Sequence, residues 1–252
     1  MLRKLFLFLV SFAFVFSFGL ANLAQAEQVV KVGVDTTFPP FEMEEHGKVV
    51  GFDVDLVNAI AKAEGFKVEW HTMDFQGLIP ALQTGTIQMA VAGMTITPQR
   101  AQVVYFSKPY YHSGQSILVK KGSPIKDLAD LKGKTVATKL GTTADIMLSK
   151  MKDIKVERFT NIDDAYNQLQ NGGAQAVVFD NPVNINYAKT HKNVHTVGKL
   201  LTGEDYGIAV SKQDPKLLEK VNAGLEKIIK NGVYLKLYRK YFGDDNAGLI
   251  TQ

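Results

Sequence analysis

Beyond the first 26 residues, apolar positions alternate between two periods. Val30, Val32 and Val34 are separated by Lys31 and Gly33, the period-two pattern of a half-buried strand. Leu56, Ala59, Ile60 and Ala63 fall three and four apart and predict one face of a helix, opened by Asp53 and Asp55 and stopped at Gly65. Phe66, Val68 and Trp70 return to period two, and a helix around residues 78–82 leads to the apolar run 87–91, bounded by Gly85 and Gly93 as a buried strand would be. A strand over 117–120 follows a break at Gly114. The rhythm then restarts, with strands predicted at 134–138, 156–159 and 176–179, and helices at 142–151 and 162–170. Residues 207–210 read as a further strand, followed by a helix over 215–230 and an aromatic helix over 234–242. Strand and helix signals that alternate in this way predict an α/β fold with largely parallel sheets. Two comparable units meet at residues 110–114 and near 202–206, so two crossings would form a hinge and the final helices would return to the first unit.

The 252 residues include no cysteine, which excludes disulfides, thiolate nucleophiles and cysteine metal sites. Arg3-Lys4, the apolar stretch 5–20 and Ala24-Gln25-Ala26 predict a secretory signal cut after Ala26. A retained membrane anchor is the alternative, against which the small residues at the cut weigh. No cysteine stands at the cut, so a lipoprotein is not expected, and the product is expected to be a free, exported, periplasmic protein. The segment carries two of the chain's positive charges and no negative ones, so the formal charge falls from +4 to +2. A chain so nearly neutral offers no electrostatic argument for nucleic acid.

Residues 92–100, Ala92-Gly93-Met94-Thr95-Ile96-Thr97-Pro98-Gln99-Arg100, hold the most specific candidate chemistry. Thr97 is placed to cap a helix, Pro98 suits the first helical position, and Arg100 falls in the first turn. A cation there opposes the helix dipole unless an anion sits beside it. A guanidinium grips a carboxylate through two parallel hydrogen bonds, while the Gly93 carbonyl and Thr95 hydroxyl are able to accept from an ammonium. The pattern suits an α-amino acid; a surface arginine after an ordinary Thr-Pro cap is the competing reading of this segment alone.

Five segments in order resemble the periplasmic amino-acid-binding proteins of ABC importers, type II fold, and most closely those that bind glutamine. They are Asp35 to Glu42 (DTTFPPFE), Gly51 to Leu56 (GFDVDL), Met73 to Leu82 (MDFQGLIPAL), Ala92 to Arg100, and Tyr206 to Ala209 (YGIA). The resemblance covers the chain after the signal. It implies two lobes, 27–110 plus 206–252 and 111–205, that close over one ligand, and a monomer that hands the ligand to a membrane permease without cofactor or metal. It also implies that Arg100 takes the α-carboxylate with the N–H groups of Thr95 and Thr143, and that Asp180 takes the α-ammonium with Gly93 and Thr95. Phe38 and Phe75 would wall the ligand stem, with Ala92 and Thr142 completing the lining. All of these follow predicted strand ends, where ligands lie in open α/β sheets.

Asp35 and Lys139 are expected to read the ligand side chain, the one accepting from an amide NH2 and the other donating to its oxygen. That favours L-glutamine. Phe179 stands where a histidine is expected from the glutamine-binding pattern and Thr143 where a glycine is; an extra aromatic wall suits a guanidinium, so arginine is the main competing ligand. A dehydratase of the prephenate or arogenate type is the enzymatic alternative on the same fold. It needs a catalytic acid or base, and Asp35 and Asp180 already have binding roles. His191 and His195 are four apart but read as a surface pair. Gly133-Lys134-Thr135 imitates a phosphate loop without its first glycine, Leu128 standing there. Glu42, Glu44 and Glu45 read as a solvated loop.

Overall fold

The computed structural model describes residues 28–250; the predicted signal segment lies outside the described residues. The chain enters through β1 (Gln28–Val34), whose three alternating valines are buried as their spacing requires. A meander of β2 (Thr37–Phe38), β3 (Glu42–Glu45) and β4 (Lys48–Val50) follows. No alternation marks it in the sequence, because its strands are two to four residues long and Pro39-Pro40 interrupts them. Next come α1 (Phe52–Glu64), β5 (Phe66–Thr72), α2 (Phe75–Thr84), β6 (Met89–Ala90), α3 (Pro98–Ala101) and β7 (Tyr105–Phe106).

β8 (Tyr111–Ser113) carries the chain into the second unit, built from β9 (Gln115–Lys120), β10 (Thr135–Lys139), α4 (Thr143–Leu148), β11 (Lys155–Phe159), α5 (Ile162–Gln170), β12 (Ala176–Asp180), α6 (Asn181–Thr190) and β13 (Val194–Val197). β14 (Glu204–Tyr206) carries it back to β15 (Ala209–Val210), α7 (Pro215–Lys230) and α8 (Val233–Phe242).

Two five-stranded sheets result, ordered β5-β1-β6-β15-β7 and β11-β10-β12-β9-β13. In each, three strands are parallel and the other two join antiparallel, so the sheets are mixed where parallel pairing was expected to dominate. The antiparallel members include those next to the crossings, β9 and β15, because a chain that leaves one sheet and returns reverses direction. The crossings themselves pair: β8 and β14 are antiparallel, Tyr111 opposite Tyr206 and Ser113 opposite Glu204.

α7 and α8 pack on α1, returning the end of the chain to the first sheet. Their apolar cluster includes Leu56, Ile60, Val221, Leu225, Tyr234 and Tyr238, and it continues through Tyr110 and Tyr206 at the crossings to Phe179 of the second sheet. Separate clusters lie under α2 (Leu78, Leu82, Ile87) and around β10 and α4 (Val136, Ala144, Leu148).

Several expectations are corrected. Of the run 87–91 only Met89–Ala90 is strand, with Gln88 and Val91 on either side donating to the Lys31 and Gly33 carbonyls of β1. The strand expected at 134–138 sits one residue later, making Lys139 its last residue, and Asp180 likewise ends β12. The helix expected over 142–151 stops at Leu148. Glu42, read with Glu44 and Glu45 as a solvated loop, is fully buried, as is Asp53 in the first turn of α1, while Glu44 and Glu45 are exposed. α6, which no sequence pattern marked, has a mixed surface with only Val183 and Asn184 buried. His191 caps its end, stacked on Tyr187 with ring centroids 3.8 Å apart, and His195 lies in β13. Lys134-Thr135 enters β10, so no phosphate loop forms.

Candidate functional site

Strand ends from both sheets converge on one cavity. Asp35 follows β1, Ala92, Gly93 and Thr95 follow β6, Lys139 ends β10, and Asp180 ends β12. The cavity is lined by all twelve residues expected from the sequence, Asp35, Phe38, Phe75, Ala92, Gly93, Thr95, Arg100, Lys139, Thr142, Thr143, Phe179 and Asp180, together with Glu42.

Arg100 is set by local structure. Thr97 caps α3 by accepting from the Arg100 N–H at 3.2 Å, and Pro98 occupies the first helical position. The side chain then turns inward and is 7 % exposed. Its Nη1 donates to the Thr95 carbonyl at 2.8 Å and its Nη2 to the Gly141 carbonyl at 3.2 Å, from the opposite unit. Its Cζ lies 5.2 Å from the Phe75 ring centre. Burial weakens the hold on its proton, an effect opposed by the negative charges of Asp180 and Glu204. A guanidinium has five N–H donors, so two carbonyls leave enough for a carboxylate fork.

The far end of the cavity is built differently from the expectation. Asp35 and Lys139 do not stand apart as two independent readers; Lys139 Nζ bonds Asp35 Oδ2 at 2.6 Å and Thr37 Oγ1 at 2.7 Å. Asp35 also accepts from the N–H and hydroxyl of Thr37, at 3.0 and 2.6 Å, and from the Phe75 N–H at 2.8 Å. Both partners are buried, and a buried pair is tolerable only when its remaining hydrogen-bonding capacity is satisfied. The carboxylate's four lone-pair sites are occupied, whereas the ammonium has three donors and two named acceptors.

Asp180 accepts a short hydrogen bond from the Tyr206 hydroxyl. Burial, then the nearby charge of Glu204, push its carboxyl up to about 7, against the hydrogen bonds of Tyr206 and Gln115 and the charge of Arg100. Thr95 and Thr143, whose N–H groups were expected to face a carboxylate, are linked by a feature that the sequence did not signal. The hydroxyls of both threonines donate to one oxygen of Glu204, at 2.6 and 2.9 Å. Thr142 caps α4, accepting from the Asp145 N–H, and donates to the Lys139 carbonyl at 2.7 Å.

Phe38 meets Phe179 edge-on, ring centroids 5.5 Å apart, so two walls of the cavity touch across the units. Gly93 makes that approach possible: its φ is +50°, and a Cβ there would lie 2.2 Å from Phe38 Cε1. Its N–H donates to Asp53 Oδ2 at 3.0 Å, and the Tyr110 hydroxyl donates to the same oxygen at 2.7 Å. Burial and the Asp53 carboxylate raise Glu42 well above the ordinary carboxyl range, and burial raises Asp53 to about 6. Taken as carboxylates, both Glu42 oxygens and Asp53 Oδ1 have no partner. A proton on Glu42 resolves this by donating to Asp53, the arrangement open to two carboxyls that cannot both be charged.

Glu42, Glu204 and Tyr206 are the functional candidates missed in the sequence. Glu42 directly follows the recognisable DTTFPPF run, and Tyr206 begins the YGIA run, so proximity to those motifs was the available signal; Glu204 had none, since its threonine partners at 95 and 143 lie far off in sequence. No group of three or more metal-ligating side chains occurs among the described residues.

The family profile for bacterial extracellular solute-binding proteins, family 3, matches residues 30–244. A probable histidine-binding protein of Neisseria gonorrhoeae is 39 % identical over 235 residues, covering 90 % of this chain and 88 % of that protein. The ABC transporter glutamine-binding protein GlnH of Bacillus subtilis (strain 168) is 36 % identical over 234 residues, covering 90 % and 86 %. Among solved structures, an ancestral arginine-binding protein bound to arginine superposes with a TM-score of 0.83 at 48 % identity, covering 86 % of this chain and 99 % of that one. The architecture is thus the type II periplasmic binding fold, and the chain belongs to the bacterial extracellular solute-binding proteins of family 3.

Proposed function

We propose that the protein is an exported receptor that binds one polar L-α-amino acid between its two lobes, 27–110 plus 206–252 and 111–205, and delivers it as a monomer to the permease of an ABC transporter. Its cavity offers a guanidinium with donors to spare at one end and a carboxylate beside it, the two halves of an α-amino acid's head group. L-Glutamine is the preferred ligand. The observation that carries this is Lys139, whose ammonium bonds Asp35 and Thr37 and keeps a third donor for a side-chain carbonyl oxygen.

Arginine fits this end poorly. Its guanidinium only donates, Asp35 already accepts four hydrogen bonds, and two cations about 4 Å apart at an effective dielectric of about 20 repel by about 4 kcal/mol. Arginine is nevertheless the second reading, supported by the arginine-bound solved relative and by Phe179, a flat wall suited to a guanidinium. A relative named for histidine keeps the ligand class broad.

Calorimetric titration of the refolded, ligand-free protein with L-glutamine and L-arginine in parallel tests the reading. Tight one-to-one uptake of glutamine, at about micromolar affinity or about 8 kcal/mol, and loss of all amino-acid binding in Arg100→Ala are expected. Preference for arginine would reassign the side-chain end, and silence with every amino acid would overturn the receptor reading.

A further inference from the structure

Glu204 sits on the returning hinge strand and belongs to neither set of strand ends that builds the cavity, yet its carboxylate gathers bonds from both units. Oε2 accepts from Thr95 of the first unit at 2.6 Å and from Thr143 of the second at 2.9 Å. Oε1 accepts from Thr202 at 2.9 Å, and Gln115 Nε2 lies 3.3 Å from both oxygens. A hydroxyl has one proton and two lone pairs. Because Thr95 gives its proton to Glu204, only lone pairs remain to face the cavity that Thr95 lines. Thr143 differs: it too donates to Glu204, but it accepts from Gln115 at 3.0 Å, whereas among the described residues no donor bonds Thr95 Oγ1. The Thr95 hydroxyl is therefore a buried acceptor with vacant capacity, in a cavity that also holds Asp180.

We propose that Glu204 is a positioning residue for recognition of the ligand's α-ammonium: by taking the Thr95 proton it fixes that hydroxyl as an acceptor and biases the cavity toward α-amino acids over the same acids without the amino group. The inference rests on the proposed amino-acid ligand. Without Glu204, the Thr95 hydroxyl has no fixed acceptor and is oriented only when a ligand arrives, so its lone pairs are no longer set toward an ammonium before binding. The charge of Glu204 acts in the same direction, since a cationic head group in a buried site gains from each anion near it.

The test compares wild type, Glu204→Ala, Glu204→Gln, Thr95→Val and the double variant Glu204→Ala/Thr95→Val, titrated with L-glutamine and with glutaramate, which is glutamine lacking its α-amino group. Glu204→Ala is expected to weaken glutamine about tenfold, the scale of one hydrogen bond to a charged group, while changing glutaramate less than about twofold. Glu204→Gln, whose side-chain carbonyl still accepts from Thr95, retains most of the discrimination. Thr95→Val added to Glu204→Ala costs little more, because both act through one hydroxyl. Equal losses for the two ligands mean that Glu204 only holds the fold or the closed form, and overturn the inference, as do an unchanged ratio or strictly additive variants. If wild type prefers arginine, the same comparison is made with 5-guanidinopentanoate, arginine lacking its α-amino group. A wild type that binds these amino acids normally while Glu204→Ala keeps its ratio defeats this inference alone; a wild type that binds none defeats the receptor reading as well.

Discussion

The cavity's carboxyl groups differ in what burial does to them, and two pH effects follow. Asp180 is pushed up to about 7, so in the empty cleft much of it is protonated at neutral pH, and an ammonium must displace that proton. Affinity for the amino acid is expected to be flat above about pH 7 and to fall by up to about tenfold per pH unit below it; a dissociation constant unchanged from about pH 8 to pH 5.5 would contradict the assignment of Asp180 to the ammonium. Glu42 and Asp53 act on stability instead. Their folded pKa values lie above the ordinary 4.5 and 3.8, so the folded chain holds protons that the unfolded chain releases. The stability this supplies is complete below those ordinary values and is lost as pH rises, through about 6 for Asp53. Glu42→Gln keeps a donor for Asp53 without an ionisable group. Its unfolding midpoint is expected to improve relative to wild type as pH rises from about 5 to 8, by up to about 1.4 kcal/mol per pH unit for one proton, measured by thermal melts; parallel melts would show that Glu42 ionises freely. Arg100 was legible because its determinants, Thr97 and Pro98, are adjacent. Glu42 was not, because its burial depends on Asp53 and on packing that no local pattern records.

Among the elements, the long amphipathic helices were read most closely: the span expected for α7 coincides with Pro215–Lys230 and that for α5 with Ile162–Gln170. Each has a side-chain cap and apolar positions repeated over several turns, information contained within the element itself. β6 shrank to two residues and α4 to six because their limits are set by partners elsewhere in the chain. The crossings are tighter than sequence suggests. A Cβ on Gly114 would lie 2.2 Å from the Thr202 carbonyl oxygen, beside the β8–β14 ladder. Gly114→Ala is therefore expected to force the two crossings apart and to cost about 1–3 kcal/mol of stability, the usual price of overpacking, read by denaturant unfolding; an unchanged midpoint would mean that the crossings yield easily.

At the scale of the whole molecule, α/β class, two units and two crossings were legible because strand and helix periods restart after residue 114 and return after 206. Mixed sheet pairing was not, since it depends on which strands the chain places side by side. The cavity was legible as a set of residues through resemblance, but not as a bonded network: Lys139 and Asp35 are 104 residues apart, and their ion pair appears only when the two sheets face each other. That pair makes the far end neutral overall, with donor capacity left on the ammonium, and the proposal of an amide ligand rests on it. The most direct measurement is a crystal structure of the protein with L-glutamine bound. Lys139 Nζ is expected within about 2.7–3.2 Å of the side-chain amide oxygen while still bonded to Asp35, and the α-carboxylate on the Arg100 fork. A ligand whose side chain contacts Asp35 with Lys139 swung out of the cleft, or whose carboxylate lies away from Arg100, would contradict it.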